Sequence, residues 1–228
     1  TLFPYTTLFR SGPSADFCNG WMNRPRNPCR RPPVNSGNPE HATLAETLSP
    51  ILENGTEARI DAIMKRLSAD NIRLATAESC TGGILASLFT DIPGFSHVFE
   101  AGFVTYSAGA KTRMLGVPAD LLARHGAVSA ETATAMVEGA LRHSSADLAL
   151  SVTGFAGPGS NGEEAGLVHF ACAWREGVTL HAERHFGARD RGETRLCCID
   201  TALDLLSAAL GRAEPDAAPA EPGQPGSG

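Results

Sequence analysis

Two kinds of apolar pattern alternate along the chain between residues 56 and 210. Apolar residues recur at three- and four-residue spacing, which is typical of one face of a helix, or run together in short stretches, which is typical of buried strands. The pattern ends with a hairpin, predicted as strands 167–174 and 178–186 around Arg175, Glu176 and Gly177, and one long helix. Strands that alternate with helices build a sheet covered by helices. The sequence therefore predicts an α/β fold, a three-layer α/β/α single domain with a mixed sheet.

The remaining elements follow from the same two periodicities. Helices are predicted at residues 57–69 with Thr56 as N-cap, from Ile84 to Phe89, at 108–115, from Pro118 to Gly126, after the N-cap Ser129, and from Leu196 to Leu210. Strands are predicted at residues 73–77, 98–106 and 147–153. Each of these strands leads into a polar loop, at residues 78–83, 106–111 and 153–162.

The two ends of the chain lack these periodicities. Residues 1–55 are predicted to be a disordered leader, and residues 1–11, TLFPYTTLFRS, resemble a translated sequencing adapter. Residues 211–228 contain four prolines among Ala, Glu and Gly, so they are predicted to be a disordered tail. The folded domain is therefore expected at residues 56–210.

Composition excludes several classes of function. The net charge of −6 and an aromatic content of 6 % argue against a nucleic-acid-binding surface, which needs basic and stacking side chains. No stretch of 18 apolar residues is present, so we expect no membrane-spanning helix. The six cysteines form no C-x-x-C pair, which disfavours both a zinc site and a disulfide framework. We therefore expect a cytoplasmic protein with reduced thiols and without a metal or an organic cofactor.

The first polar loop offers Ser79, Cys80 and Thr81, followed by Gly82 and Gly83 at the start of a helix. One interpretation is a nucleophile beside an anion site, because backbone N–H groups at a helix N-terminus bind anions. The other interpretation is an ordinary helix cap, and the spacing alone favours it. Cys80 is a rival nucleophile, but no histidine partner lies near it in the sequence.

The second and third loops give weaker signals. Lys111 is one of only two lysines against 17 arginines, which hints that arginine would not serve there, although composition alone favours a surface lysine. Tyr106 is the only tyrosine outside residues 1–11. The third loop begins with Thr153 and Gly154 and continues to Gly157; its backbone either approaches a ligand or simply connects two strands. Because ligands bind at the carboxyl ends of strands in open α/β sheets, the three loops suggest one shared site.

Five segments taken together carry a resemblance to a known family. They read AESCTGG at 77–83, GFVTYSAGAK at 102–111, MLGV at 114–117, GAVS at 126–129 and SVTGFAGP at 151–158. In this order they resemble the CinA C-terminal domain family, in particular nicotinamide-mononucleotide amidohydrolases of the PncC type. The resemblance spans about residues 57–210. It implies a three-layer α/β/α fold and hydrolysis of the nicotinamide carboxamide, with nicotinate mononucleotide and ammonia as products.

The resemblance also implies site residues. The family's serine, tyrosine and lysine correspond to Ser79, Tyr106 and Lys111, which we expect to be the nucleophile, a residue that orients the lysine or relays its proton, and the base. Backbone groups of the first and third loops are expected to bind the oxyanion or the substrate phosphate, in an order that the sequence leaves open. The expected substrate-binding residues are Thr81, Gly82, Gly83, Thr105, Thr153, Gly154 and Gly157.

One departure from the family pattern concerns charge. The stretch from Gly162 to Gly166 carries Glu163 and Glu164, which would repel an anionic substrate if they faced the site. The expected partner is the small-molecule substrate, not nucleic acid or membrane, and the oligomeric state stays open, with a homo-oligomer as one alternative. Two other functions remain as alternatives: a non-catalytic nucleotide-binding regulatory module, and a serine amidase with a different carboxamide substrate.

Overall fold

The computed structural model describes residues 48, 52, 55–157 and 162–211. Within these ranges the strands are β1 (Leu74–Glu78), β2 (Phe99–Val104), β3 (Leu148–Gly154), β4 (Leu167–Trp174) and β5 (Thr179–His185). The helices are α1 (Thr56–Ala69), α2 (Ile84–Thr90), α3 (Ala108–Leu115), α4 (Ala119–His125), α5 (Ala130–Arg142) and α6 (Arg191–Gly211).

The five strands form one mixed sheet in the order β2-β1-β3-β4-β5. Strand β1 pairs in parallel with both β2 and β3, whereas β4 and β5 continue the sheet antiparallel. At the end of β1, Glu78 lies opposite Val104 of β2 and Val152 of β3. The carboxyl ends of three parallel strands therefore meet at one edge of the sheet, and the three polar loops start there.

Helices cover both faces of the sheet. On one face, apolar residues of α1, α2 and α6 pack against side chains such as Leu150, Phe170 and Cys172. On the other face, α3, α4 and α5 pack against smaller residues such as Ala149 and Ala171. The alternation along β4 divides the two faces, as the pleat of a strand requires. This arrangement confirms the predicted three-layer α/β/α fold with a mixed sheet.

Helices α3 and α5 are in close contact. Gly139 of α5 faces the C-terminal residue of α3, and a Cβ atom at this position would collide with the backbone oxygen of Leu115. Glycine is therefore needed for α3 to pack this deeply. Since α3 carries Lys111, this contact sets the depth at which the lysine enters the domain.

The structure corrects several predicted boundaries. Helix α1 begins at Thr56 itself and its N-cap is Gly55, with φ of 91°, so the prediction that Thr56 is the N-cap is wrong. Strand β1 extends through Glu78, whose side chain is buried. Strand β2 is shorter than the predicted span 98–106, because the chain turns away after Val104 towards the N-cap of α3.

A few described residues lie beyond the predicted domain, 56–210. Leu48 and Leu52, which fall within the predicted leader, pack against the core, and the backbone N–H of Leu48 donates to Asp91 at 2.9 Å. Gly211, the first residue of the predicted tail, is the last residue of α6. The remainder of the predicted leader apart from Gly55, and all of the tail beyond Gly211, lie outside the described residues. No helix of the described part of the chain is long and apolar enough to cross a membrane.

Candidate active site

A tight turn between β1 and α2 presents Ser79 at the edge of the sheet. The backbone N–H of Ser79 donates to the carbonyl of Val152 at 3.0 Å, so the serine continues the ladder between β1 and β3. The chain then reverses through Gly82 and Gly83, whose φ angles of 67° and 98° lie in the left-handed region that favours glycine. The Gly-Gly pair therefore serves the turn geometry that holds Ser79 in place.

Lys111 is the direct partner of Ser79. Its side chain is fully buried, and Nζ donates to Ser79 Oγ and to the carbonyl oxygen of Thr105, each at 2.8 Å. Burial lowers the pKa of Lys111 from its ordinary value to about 8, against a smaller raising effect of Cys80. The interpretation of Lys111 as a surface lysine is thus wrong, and the structure brings together the two residues for which a nucleophile and a base are predicted.

The N-terminus of α2 is already occupied by an anion of the protein itself. The Glu78 carboxylate accepts hydrogen bonds from the backbone N–H groups of Gly83, Leu85 and Ala86, at 3.0, 3.1 and 2.8 Å. Of the glycine donors that the sequence assigned to an oxyanion or a phosphate, Gly83 is thus bound to Glu78, and the backbone N–H of Gly82 donates to the carbonyl of Ser79 at 3.1 Å. The expectation that Gly82 and Gly83 open a substrate anion site is therefore wrong, because the N–H groups of both glycines are engaged within the protein.

Thr105 and Tyr106 are placed differently from expectation. Thr105 is fully buried, and its carbonyl orients Lys111, so its backbone supports the base rather than binding substrate. Tyr106 is 64 % exposed, and the described hydrogen bonds of Lys111 Nζ go to Ser79 and Thr105, not to the tyrosine. The predicted role of Tyr106 in orienting Lys111 is thus taken by the Thr105 carbonyl.

A cavity of about 400 Å³ opens beside Ser79, within the range usual for small-molecule sites. Of the predicted site residues, Ser79, Tyr106, Thr153, Gly154 and Gly157 line it. Its other lining residues are Cys80, Ala127, Val128, Phe155, Ala156, Glu163 and Arg191. A larger cavity of about 550 Å³ lies between the β4–β5 hairpin and α6, but its described lining contains no serine, cysteine or lysine. The smaller cavity is therefore the candidate active site.

Thr153 and Gly154, at the start of the third loop, serve the packing of the fold. The hydroxyl of Thr153 donates to the carbonyl of Ala127 at 2.6 Å, which ties β3 to the segment before α5. A Cβ atom at Gly154 would lie 2.7 Å from the carbonyl oxygen of Leu167, so this glycine serves the packing of β3 on β4. Thr81 is buried and does not line the cavity, and within the described residues its hydroxyl has no hydrogen-bond partner.

Two arginines of α6 belong to the site although the sequence did not single them out. Arg191 lines the cavity, and Arg195 Nε donates to the carbonyl of Cys80 at 2.9 Å, across 115 residues of sequence. The sequence does contain a helix-capping pattern at residues 190–193 that predicts the start of α6. Asp190 accepts from the backbone N–H of Glu193 at 2.8 Å, and the Glu193 carboxylate reaches back to the N–H of Asp190, which is a capping box.

Cys80 is packed against a second thiol rather than against a base. A hydrogen bond with Cys198 of α6 lowers the pKa of Cys80, and the same bond, together with burial, raises the pKa of Cys198. Both cysteines are free and buried in the same core cluster. The contact holds the Cys80 side chain towards the core, and no histidine is among the described residues around this cavity.

The site defines the class of protein: a three-layer α/β/α protein with a buried serine–lysine pair at the carboxyl ends of its parallel strands. Comparisons with known proteins agree with this class. This chain belongs to the CinA C-terminal domain family, which matches residues 56–210. The CinA-like protein of Akkermansia muciniphila is 48 % identical over 144 residues, 62 % of this chain and 34 % of that protein. The CinA-like protein of Geobacter sulfurreducens is 44 % identical over 166 residues, 72 % of this chain and 40 % of that protein.

A solved structure extends the likeness to the fold. The crystal structure of the competence/damage inducible protein CihA from Agrobacterium tumefaciens matches with a TM-score of 0.67 at 43 % identity, covering 71 % of this chain and 98 % of that one. By contrast, this chain spans between a third and about two fifths of the length of the two CinA-like proteins. The family match and this structural likeness confirm the resemblance of the five sequence segments to the CinA C-terminal domain family.

Proposed function

We propose that this protein hydrolyses the carboxamide of nicotinamide mononucleotide to nicotinate mononucleotide and ammonia. The observation that carries the proposal is the buried contact of 2.8 Å between Lys111 Nζ and Ser79 Oγ. Serine–lysine pairs are a known variant of the hydrolytic triad. With a pKa of about 8, about a tenth of the lysine is neutral at pH 7, and neutral Lys111 can accept the serine proton. The resemblance to PncC-type proteins selects the substrate.

The first half of the reaction forms an acyl-enzyme. Ser79 Oγ attacks the carboxamide carbon while its proton passes to Lys111 Nζ, and the carbonyl oxygen of the substrate becomes an oxyanion. When the carbonyl re-forms, the C–N bond breaks and the Lys111 ammonium protonates the departing nitrogen. Ammonia leaves, and Ser79 carries nicotinate mononucleotide as an ester of its carboxyl group.

The second half of the reaction uses the same lysine. Neutral Lys111 takes a proton from a water molecule that attacks the ester carbon, and the ester bond to Ser79 breaks as the carbonyl re-forms. The Lys111 proton returns to Ser79 Oγ, and nicotinate mononucleotide leaves with the water oxygen in its carboxyl group, which loses the second water proton to solvent. The Thr105 carbonyl keeps Lys111 Nζ beside the serine through both halves, because it accepts a hydrogen bond in either protonation state.

The oxyanion site is assigned to the nucleophile turn. The backbone N–H of Cys80 follows the nucleophile directly, as the oxyanion donor does in other strand-to-helix nucleophile turns. It is not among the three donors that Glu78 engages. Arg195 fixes the following peptide group through the Cys80 carbonyl. A preorganised donor of this kind stabilises the charge that develops on the substrate oxygen.

The phosphate is assigned to Arg191. At the start of α2, Glu78 accepts from three backbone N–H groups, and at the start of α6, Asp190 accepts from that of Glu193, so these donors are not offered to a ligand. Arg191 is the arginine among the described lining residues, at the side of the cavity formed by Gly157. A guanidinium recognises a phosphate through paired hydrogen bonds. We assign to the exposed Tyr106 a contact with the cationic pyridine ring at the cavity mouth.

Glu163 gives a prediction of improved binding. It lines the cavity, where its charge repels the substrate phosphate. Replacing it by the neutral isostere, Glu163→Gln, is expected to lower KM for nicotinamide mononucleotide by about two- to fivefold at low salt, with kcat unchanged. Steady-state kinetics on the purified variant measure this, and the gain should shrink as salt is added.

The neighbouring glutamate is the matched control. Glu164 lies outside the cavity lining and accepts from His185 at 2.7 Å, so its charge already has a partner. We expect Glu164→Gln to change KM by less than about twofold. Equal effects of the two substitutions, or a raised KM in Glu163→Gln, would show that Glu163 does not face the bound phosphate.

The proposed reaction is tested by its products. The protein is incubated with nicotinamide mononucleotide, free nicotinamide or glutamine, and ammonia and the acid product are quantified. We expect release from the mononucleotide and little from the two compounds without phosphate, because only the phosphate meets Arg191. Comparable release from glutamine would identify a serine amidase of another specificity. Calorimetric binding of the mononucleotide without ammonia release would identify a non-catalytic nucleotide-binding module instead.

A further inference from the structure

We propose that Glu78 is a positioning residue that holds both Ser79 and Lys111 in reacting geometry. The inference rests on the proposed function, in which Ser79 is the nucleophile and Lys111 the base. Glu78 touches no part of the cavity, so its effect on the reaction passes through the two residues that it holds.

The side chain of Glu78 fixes the nucleophile turn. Its carboxylate is fully buried and accepts three backbone N–H groups from the first residues of α2 and from Gly83 just before it. The N-cap Gly83 has no side chain to satisfy these donors, which would otherwise be left without partners in the core. A negative charge at a helix N-terminus is also favoured by the helix dipole. The end of β1 is thereby tied to the start of α2 across the turn that carries Ser79.

The backbone of Glu78 fixes the base. Its carbonyl accepts from the backbone N–H of Thr105 at 2.7 Å and from the Thr105 hydroxyl at 3.4 Å. The carbonyl of Thr105 in turn accepts from Lys111 Nζ. One residue thus connects to the serine through the turn and to the lysine through Thr105. A loss of its side-chain bonds is expected to move Ser79 relative to Lys111, while the substrate-binding cavity keeps its lining.

The test is the substitution Glu78→Gln, which keeps the size of the side chain. A glutamine presents one carbonyl oxygen and one N–H₂ group, so it cannot accept from all three backbone donors. The matched control is Glu100→Gln, a carboxylate at the opposite end of the sheet that accepts from the backbone N–H of Ser145 at 3.3 Å and pairs with Arg73 at 3.7 Å. Glu78→Asp retains the charge with a shorter reach and serves if the glutamine variant does not fold.

Three measurements are made on each folded variant. We expect kcat for ammonia release in Glu78→Gln to fall by about 10- to 100-fold, the range for misplaced reacting groups, with KM within about threefold of wild type. Amide hydrogen exchange should accelerate in the segment 83–86, and the rate at which a fluorophosphonate labels Ser79 should fall in parallel. Glu100→Gln should match wild type in all three, even where its melting temperature is lower.

The outcomes separate this inference from the proposed function. If Glu78→Gln melts earlier but keeps the kcat and labelling rate of Glu100→Gln, Glu78 is merely structural and the inference is overturned. If wild type releases no ammonia from nicotinamide mononucleotide, the proposed function fails, and the labelling and exchange rates still decide the role of Glu78. Unchanged exchange at residues 83–86 overturns the positioning role regardless of the substrate.

Discussion

Ser79→Ala is expected to lower ammonia release from nicotinamide mononucleotide by about 10⁴-fold or more, the scale seen when a nucleophile of a catalytic unit is removed. Binding of the substrate should persist within a few-fold, because Ser79 supplies the covalent bond and little of the binding energy. Lys111 would remain bound to Thr105, so the cavity should keep its shape. Kinetics of ammonia release and calorimetric titration of the substrate measure the two quantities separately.

Cys80→Ser is the matched control for the nucleophile. It replaces a thiol that is directed to Cys198 and leaves the contact between Ser79 and Lys111 in place. We expect this variant to retain substantial activity, and alkylation of thiols to leave wild type active. An inactive Cys80→Ser, together with an active Ser79→Ala, would make the cysteine the nucleophile and refute the assignment.

Lys111→Arg is expected to lower kcat by about a hundredfold or more, which is the contribution typical of a general base. Arginine keeps the positive charge but cannot be deprotonated under usable conditions, so it cannot accept the serine proton. A lysine that merely anchored the phosphate would give the opposite result, a raised KM with kcat retained. The structure favours the first outcome, since Nζ points to Ser79 and Lys111 does not line the cavity.

A second substitution guards against distortion of the core. Because Lys111 is fully buried, kcat of the larger arginine variant is compared with wild type only on folded protein. Lys111→Met keeps the unbranched stem without the amine and should show the same loss of kcat. Wild-type kcat in either variant would exclude Lys111 as the base and leave Tyr106 as the next residue to test.

The sequence predicted the layers of the fold and the elements that meet at the site. Alternating periodicities define β1, β2 and β3, and the parallel pairing of these strands puts their loops at one edge, so Ser79 and Lys111 converge. The depth of Lys111 was not predictable from composition, because it depends on the contact of Gly139 with the end of α3. Packing between helices decides such positions, and a single sequence does not reveal it.

The sequence also misplaced the donors of the site. A Gly-Gly pair before a helix predicts free N–H groups, but whether a ligand or a side chain of the protein takes them depends on tertiary geometry. Here the carboxylate of Glu78, five residues before Gly83, accepts from the N–H of Gly83. Arg195 meets Cys80 across 115 residues, and no local pattern indicates a contact at that separation. Arg195 was missed because its contact joins segments that are far apart in the sequence, and Glu78 was missed because its role depends on the turn that brings the start of α2 back to it.

The pH dependence of kcat/KM shows whether neutral Lys111 activates Ser79. The charged lysine cannot accept a proton, and burial lowers its pKa to about 8. Activity should therefore rise about tenfold per pH unit below that value and level off above it. Measurement from about pH 7 upwards avoids titration of the substrate phosphate, whose second pKa is about 6. A rise that ends near pH 8 in wild type and is missing in Lys111→Arg is the predicted result. A wild-type profile that is flat or falls between about pH 7 and pH 9 would exclude neutral Lys111 as the base.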